Sequence, residues 1–353
     1  MPLINTSVST LAAHLQLNSS VRSLQRSLME AQKELSTGRK ADLVAALRDR
    51  AAEDVDLRNA LNEVSEFKST TRLVASRMDT MQTALSGMRD MAGQMRNTAL
   101  TSRDAVSREY LQEAAATAID RVNSFLNAQI AGRTLFAGIQ TDTAPMQEAN
   151  TVNGGTGLSP QQAVNQVIAN LGPIADAASA LAVANGPDGV GALFDDSNSD
   201  PNLRYSTTFY NGAATGATTA RLDRGYEIGY GVRADDPAIR ELLQGLYMLA
   251  SVPFGSVPED AFIAWQDEAV AHINAGFQGV IDLSAELGYK QSVVNDAITQ
   301  HEAAIVQLNN EVATLEAADP FETALRLSQL QTQLEATFSL TARMSQLSLT
   351  KFL

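Results

Sequence analysis

Two long runs of alternating three- and four-residue spacing decide what this chain can fold into. In the first, Leu57, Ala60, Val64, Phe67, Thr71, Val74, Met78, Met81, Leu85, Met88, Ala92, Met95 and Ala99 keep the alternation through thirteen positions, and only Thr71 is polar. In the second, Val270, Ile273, Phe277, Val280, Ser284, Leu287, Gln291, Val294, Ile298, His301, Ile305, Leu308, Val312 and Leu315 keep it through fourteen. That rhythm is the seam of helices packed lengthwise. Neither stripe can be buried alone, so the halves must meet. The simplest closure sets them antiparallel. The expected fold is mainly α, a long antiparallel coiled-coil or helical bundle formed by N- and C-terminal arms, with a small mixed α+β insertion.

Shorter seams flank the long ones. Leu17, Val21, Leu24, Leu28, Ala31 and Leu35 form a heptad that stops at Ser36-Thr37-Gly38, where glycine can close a helix. A third helix is expected over about 104–131, with Tyr110, Ala114, Ala118, Val122 and Phe125 on one face. Asp319-Pro320 interrupts the second long run, because the residue before proline disfavours the helical region. Pro320 equally suits the first turn of a new helix. Leu327, Leu330, Leu334 and Phe338 then continue an apolar face, extended by Leu340, Met344 and Leu347. The closing "TARMSQLSLTKFL" stays apolar through Phe352 and Leu353, whereas most chain ends are polar and frayed. Part of it is expected to face the 17–35 seam. Ordering such arms costs about 1–2 kcal/mol per residue in backbone entropy, so they are expected to be disordered in the free chain and to order on assembly.

Between the halves the texture changes. Residues 140–235 hold glycine- and proline-rich stretches such as "TVNGGTGLSP" and "NGPDGVGALFDDSNSDPN". One amphipathic helix is expected at 160–184, hairpin or loop turns at Asn211-Gly212 and Arg224-Gly225, and a return to helix at Asp235-Asp236-Pro237. Phe194, Tyr205, Phe209, Tyr210, Tyr226 and Tyr230 suit a small core there. The chain is expected to divide into a terminal domain (1–50 with 317–353), a central helical bundle (51–140 with 236–316) and a variable, outward-facing insertion (141–235).

Composition narrows the chemistry. The net charge is −14, which argues against nucleic acid or an anionic membrane as partner, since phosphate recognition needs a basic face. There is no cysteine, so disulfides, thiolate metal sites and cysteine catalysis are all excluded. No run of about 18 apolar residues offers a membrane span. The N-terminus lacks the basic and apolar regions of a cleaved signal peptide. Of the three histidines, His14 and His272 are expected to be exposed and His301 to sit in the seam. "HEAAI" from His301 to Ile305 has half of a zinc-protease pattern, but Ile305 stands where the second ligand would have to be. "DDSNSD" at 195–200 resembles the start of a calcium loop, yet Pro201 occupies the position that needs glycine. The methionines spread along their seam fill gaps between helices and are not clustered as thioether ligands. No catalytic constellation, cofactor site or metal site is expected.

Four stretches resemble the flagellin superfamily, and within it the hook–filament junction proteins: "LQRSLMEAQKELSTGRKADL" at 24–43, "NAQIAGRTLFAGIQTDTAPM" at 127–146, "YGVRADDPAIRELLQGL" at 230–246 and "RLSQLQTQLEATFSLTARMSQLSLTKFL" at 326–353. The second carries the junction-type pattern at Asn127, Gly132, Arg133, Phe136, Gly138, Thr141 and Asp142. The fourth ends in a Leu-Ser-Leu-x-x-Phe-Leu pattern rather than the usual flagellin ending. The resemblance implies a structural adaptor that works by subunit packing. Its partners would be flagellin, the preceding hook-associated protein, copies of itself in a ring and an export chaperone. It further implies export through the flagellar type III channel to an extracellular location. The implied assembly interface comprises Leu17, Val21, Leu24, Leu28, Leu35, Leu327, Leu330, Leu334, Phe338, Met344, Leu347 and Phe352. Flagellin itself, or a secreted surface-binding module acting through the insertion, are the alternatives.

Overall fold

The computed structural model describes the backbone of residues 10–103, 105–251 and 257–350, and side chains within 15–103, 107–251 and 257–343. Helix α1 (Thr10–Thr37) and the short α2 (Leu43–Leu47) open the chain, followed by a 3-10 turn at Arg48–Arg50 and the long α3 (Ala51–Thr101). Helix α4 (Ala105–Leu126) leads into a tight hairpin of β1 (Gln129–Ile130) and β2 (Arg133–Thr134). Short helices follow: α5 (Pro160–Leu171), α6 (Ala177–Asn185), α7 (Val190–Phe194) and α8 (Tyr205–Thr208). A second antiparallel hairpin joins β3 (Thr219–Asp223) to β4 (Tyr226–Gly229). Helices α9 (Pro237–Ser251), α10 (Glu259–Glu316) and α11 (Pro320–Thr350) complete the chain. The architecture is mainly α with two small hairpins, as the periodicity predicts. The chain forms two compact units, Met1–Glu66 with His301–Leu353, and Phe67–Gln300.

In the second unit the two long seams do what their spacing demands. Val74, Met78, Met81, Leu85, Met88, Ala92, Met95 and Ala99 of α3 are buried, as are Ile273, Val280, Leu287 and Val294 of α10. Polar rungs fix the antiparallel register. Gln291 donates to Asp79 at 2.9 Å, Gln82 donates to Ser284, Arg96 meets Asn274 at 3.1 Å and Arg103 meets Asp267 at 2.8 Å. Helix α9 is buried on nearly every side from Ile239 to Ala250, which explains its unusually apolar sequence. It starts where the sequence places the return to helix. The Asp236 carboxylate accepts from the Ala238 N–H at 3.0 Å, and Pro237 opens the first turn. Helices α9 and α10 approach closely because Gly276 and Gly245 lack side chains. A Cβ on Gly276 would stand 2.5 Å from the Leu242 nitrogen, and one on Gly245 would stand 2.5 Å from the Ala269 oxygen.

Several expectations need correction. The helix anticipated over 160–184 is two helices, α5 and α6, because Gly172 at φ +98° and Pro173 cannot continue the first. Helix α4 ends at Leu126, and its inward face is Leu111, Ala115, Ile119, Val122 and Leu126. Tyr110 is 67% exposed, so the anticipated stripe is rotated by one residue; Ala114 and Ala118 fit either phase, which hid the error. Asn211-Gly212 follows an isolated bridge between Tyr210 and Met146 and closes no hairpin, whereas Arg224-Gly225 does, with Gly225 at φ +77°. His272 is largely buried, its Nδ1 2.6 Å from Glu241 and its Nε2 2.8 Å from Gln244. His14 lies outside the residues whose side chains are described.

The expected small aromatic core is present. Phe194, Tyr205, Phe209 and Tyr247 pack with ring centroids 5.2–6.0 Å apart. Arg240 lies 4.6 Å over Tyr205 and pairs with Asp196 at 2.7 Å. Burial holds the Tyr205 hydroxyl well above its ordinary pKa and pushes Tyr210 up to about 12, so both stay neutral hydrogen-bond donors. Tyr226 alone of the six candidates is exposed.

Candidate assembly interface

The first unit is built around the turn after α1. Gly38, at φ +69°, closes the helix by donating its N–H to the Glu34 carbonyl at 2.8 Å. The chain then pairs with the α10–α11 linker. Arg39 bridges Ala317, the Lys40 N–H donates to the Glu316 carbonyl at 2.9 Å, and the Ala318 N–H donates to the Gly38 carbonyl at 2.9 Å. Asp319 accepts from the Phe321 N–H at 2.8 Å and caps α11, with Pro320 as its first residue. Asp319-Pro320 therefore both interrupts one helix and begins the next.

Buried charge locks this turn. Glu316 is only 1% exposed; its carboxylate pairs with Arg58 and lies 3.4 Å from Arg39. Arg58 also reaches the buried Asp54 at 3.1 Å. Glu34 takes the Ala41 N–H at 3.0 Å and pairs with Arg326 of α11. One carboxylate thus orients α11 against α1, and the other anchors the turn to the 51–66 stretch of α3.

Helices α1 and α11 pack along each other. Leu17, Val21, Leu24, Leu28, Leu327, Leu330 and Leu334 are half-buried. Leu35 and Phe338 are 43% and 50% exposed. The side chains of Met344, Leu347 and Phe352 lie outside the described residues. Among the described residues of this unit, buried apolar side chains are confined to Ala31, Leu47, Val312 and Leu315, and the contiguous core of the molecule, from Val74 to Val294, includes none of them. The exposed apolar residues are larger. Phe321 is 86% exposed and Leu325 62%, with Leu15, Met29, Val44 and Leu340 also open. Phe321 and Leu325 escaped the seam reading because they precede its first position, Leu327; their i, i+4 spacing was the available signal.

The "NAQIAGRTLFAGIQTDTAPM" stretch is a folded elbow of the second unit. Asn127 clamps Met146 at both ends, donating to its carbonyl at 3.0 Å and accepting its N–H at 2.9 Å. Gly132 takes φ +73° in the hairpin turn, and Arg133 holds Thr141 at 3.0 Å. Phe136 is fully buried, and Gly138, at φ +65°, lies where a side chain would meet the Gly216 carbonyl. Every matched residue except the exposed Asp142 has a structural task.

The two stretches with partial metal patterns lie on a buried helix face and in a braced loop. His301 is buried on α10 with Ile305 one turn on, so the second nitrogen of a zinc pair has no source there. In the 195–200 loop, Asp195 accepts from the Ser197 N–H at 2.8 Å, Asp196 pairs with Arg240 and Asp200 accepts from the Asn202 N–H at 2.9 Å. Asp188 accepts from the Ser199 N–H at 2.6 Å, a bond that keeps its carboxyl below the ordinary range. These oxygens brace turns. No described helix is long and apolar enough to cross a membrane.

Residues 8–141 match the profile of the bacterial flagellin N-terminal helical region, and residues 270–353 match that of the bacterial flagellin C-terminal helical region. Together these matches span more than half of the chain. A protein from Vibrio parahaemolyticus, assigned as a flagellar hook-associated protein, is similar in structure with a TM-score of 0.52 and 12% sequence identity. The likeness covers 77% of this chain and 99% of that one, and at this identity it is a likeness of fold. No curated protein sequence matches this chain.

Proposed function

Because this chain belongs to the flagellin superfamily, we propose that it is a structural adaptor of the bacterial flagellum, joining a preceding hook-associated protein to the flagellin filament. At the coarser level it is a structural protein of the extracellular flagellum. The observation that carries the packing mechanism is the imbalance of the first unit. Its helices present Phe321, Leu325, Leu15 and Met29 to solvent while burying few apolar side chains of their own. Exposed apolar surface of this kind marks an association site. Each such side chain that becomes fully buried contributes roughly 1.5–3 kcal/mol.

The interface then comprises the α1 and α11 seams together with the twelve positions anticipated above, joined by Phe321 and Leu325. Copies of the chain in a ring, flagellin above and a hook-associated protein below would be the neighbours. An export chaperone would cover the same apolar helices before assembly. The three-part division into terminal pair, central bundle and insertion fits this use. The junction-type pattern at 127–142 and the fold likeness to the Vibrio protein favour adaptor over filament subunit.

Deleting the gene and shearing the filaments separates the two. An adaptor is a trace component whose loss leaves hooks intact and releases flagellin into the medium. A chain that forms the bulk of sheared filament mass would be flagellin, and the adaptor reading would fall.

A further inference from the structure

The sequence holds three Asn-Gly steps, at Asn153-Gly154, Asn185-Gly186 and Asn211-Gly212. An Asn-Gly step can lose ammonia when the glycine nitrogen reaches the asparagine side-chain carbonyl carbon. The reaction needs a side chain free to turn and a glycine N–H that is not already engaged. The structure treats the three steps differently.

At 153 the side chain is held on both sides. Its Oδ1 accepts from the Gly155 N–H at 2.8 Å, and its Nδ2 donates to the carbonyls of Thr207 and Thr208 at 3.2 and 3.4 Å. At 185 the side-chain Nδ2 donates to Glu268 at 2.7 Å, and the Gly186 N–H is committed to the Ala182 carbonyl at 2.8 Å. At 211 the side chain is exposed and donates one hydrogen bond, at 3.2 Å, to Gln147 Oε1. The Gly212 N–H has no acceptor among the described residues.

We infer that Asn211 is a site of spontaneous covalent modification, converted to a mixture of aspartate and isoaspartate in the folded protein. The Gly212 nitrogen loses its proton and bonds to Asn211 Cγ. The Cγ–Nδ2 bond breaks, and ammonia leaves with that proton. Water then opens the cyclic imide. Cleavage of the new bond from nitrogen to Cγ gives aspartate; cleavage at the backbone carbonyl gives isoaspartate, with the chain running through Cγ.

The place makes the change consequential. The Asn211 N–H donates to the Pro145 carbonyl at 2.8 Å, and the Ala213 N–H donates to the Ala137 carbonyl at 3.0 Å. These two bonds staple the 137–145 elbow on either side of the reacting step. Isoaspartate inserts one extra backbone atom between them, so both staples cannot keep their geometry. A loop of this kind is cheap to loosen locally without global unfolding.

The test ages the full folded chain in mildly alkaline buffer and labels isoaspartate with a carboxyl methyltransferase specific for it, followed by peptide mapping. A denatured sample is aged in parallel. Label confined to the peptide holding 211 in the folded chain, with all three peptides labelled in the denatured one, supports the assignment. Earlier label at 153 or 185 in the folded chain overturns it. So does an unlabelled 211 when the denatured chain labels at all three. Asn211→Gln should abolish the folded-state label, and hydrogen exchange at the Ala213 N–H should quicken in the aged wild type alone.

Discussion

Gly276 and Gly288 stand on the same helix, and the same substitution at each should act in opposite directions. A Cβ at 276 would press on the α9 backbone at Leu242, whereas nothing lies within 4 Å of the equivalent position at 288. Gly276→Ala should destabilise by about 1–3 kcal/mol through overpacking. Gly288→Ala should stabilise by roughly 0.5–1 kcal/mol, because alanine loses less backbone entropy in a helix. Thermal unfolding of the two variants checks both signs. Asp236 offers a pH test. Burial, opposed by its bond to the Ala238 N–H and reinforced by the charges of Asp235 and Glu286, raises its carboxyl above the ordinary 3.8. A carboxyl whose folded pKa is raised costs stability when ionised, so its penalty is absent below the unfolded value and grows as pH rises through the folded one. Asp236→Asn keeps the helix cap and removes the charge. Its melting temperature should exceed wild type near neutral pH, with the gap closing in acid. An equal gap at every pH would refute this account.

At the scale of elements, the turn that joins α1 to the α10–α11 linker depends on charge. Arg58 serves two buried carboxylates, Asp54 and Glu316. Arg58→Ala should cost about 1–3 kcal/mol, because it leaves buried acceptors without their donor. Arg39→Ala should cost less, since Arg39 is more exposed and Glu316 keeps Arg58. Chemical denaturation of the pair of variants measures the difference. The helices themselves were legible beforehand. Spacing located both long seams, Gly38 marked the end of α1, and Asp319-Pro320 marked the start of α11. The split at Gly172-Pro173 was misread because apolar spacing on either side stays in phase across it. The rotation of α4 was misread because alanines satisfy both a buried and a half-exposed face, so composition gave no contrast to set the phase.

For the whole molecule, the decisive property is where apolar surface is left uncovered. Replacing Phe321 with glutamate places acid in the first turn of α11, where the helix dipole favours it, and Leu325→Glu changes an exposed position in the second turn. The monomer should therefore melt as wild type does, while the chain should fail to assemble, as read by filament attachment in motile cells. Hydrogen exchange on the isolated chain should show weak protection across residues 15–35 and 325–343 and strong protection in the Val74–Val294 core. Equal protection in both would contradict a weakly held terminal pair. By itself the sequence determined the helical class and the antiparallel pairing of its halves, because periodicity and turn chemistry are local properties. The tertiary structure alone decided which apolar residues remain exposed, which carboxylates are buried at the turn and which of three Asn-Gly steps is free to react. Those depend on neighbours that are distant in the chain, and no local pattern records them.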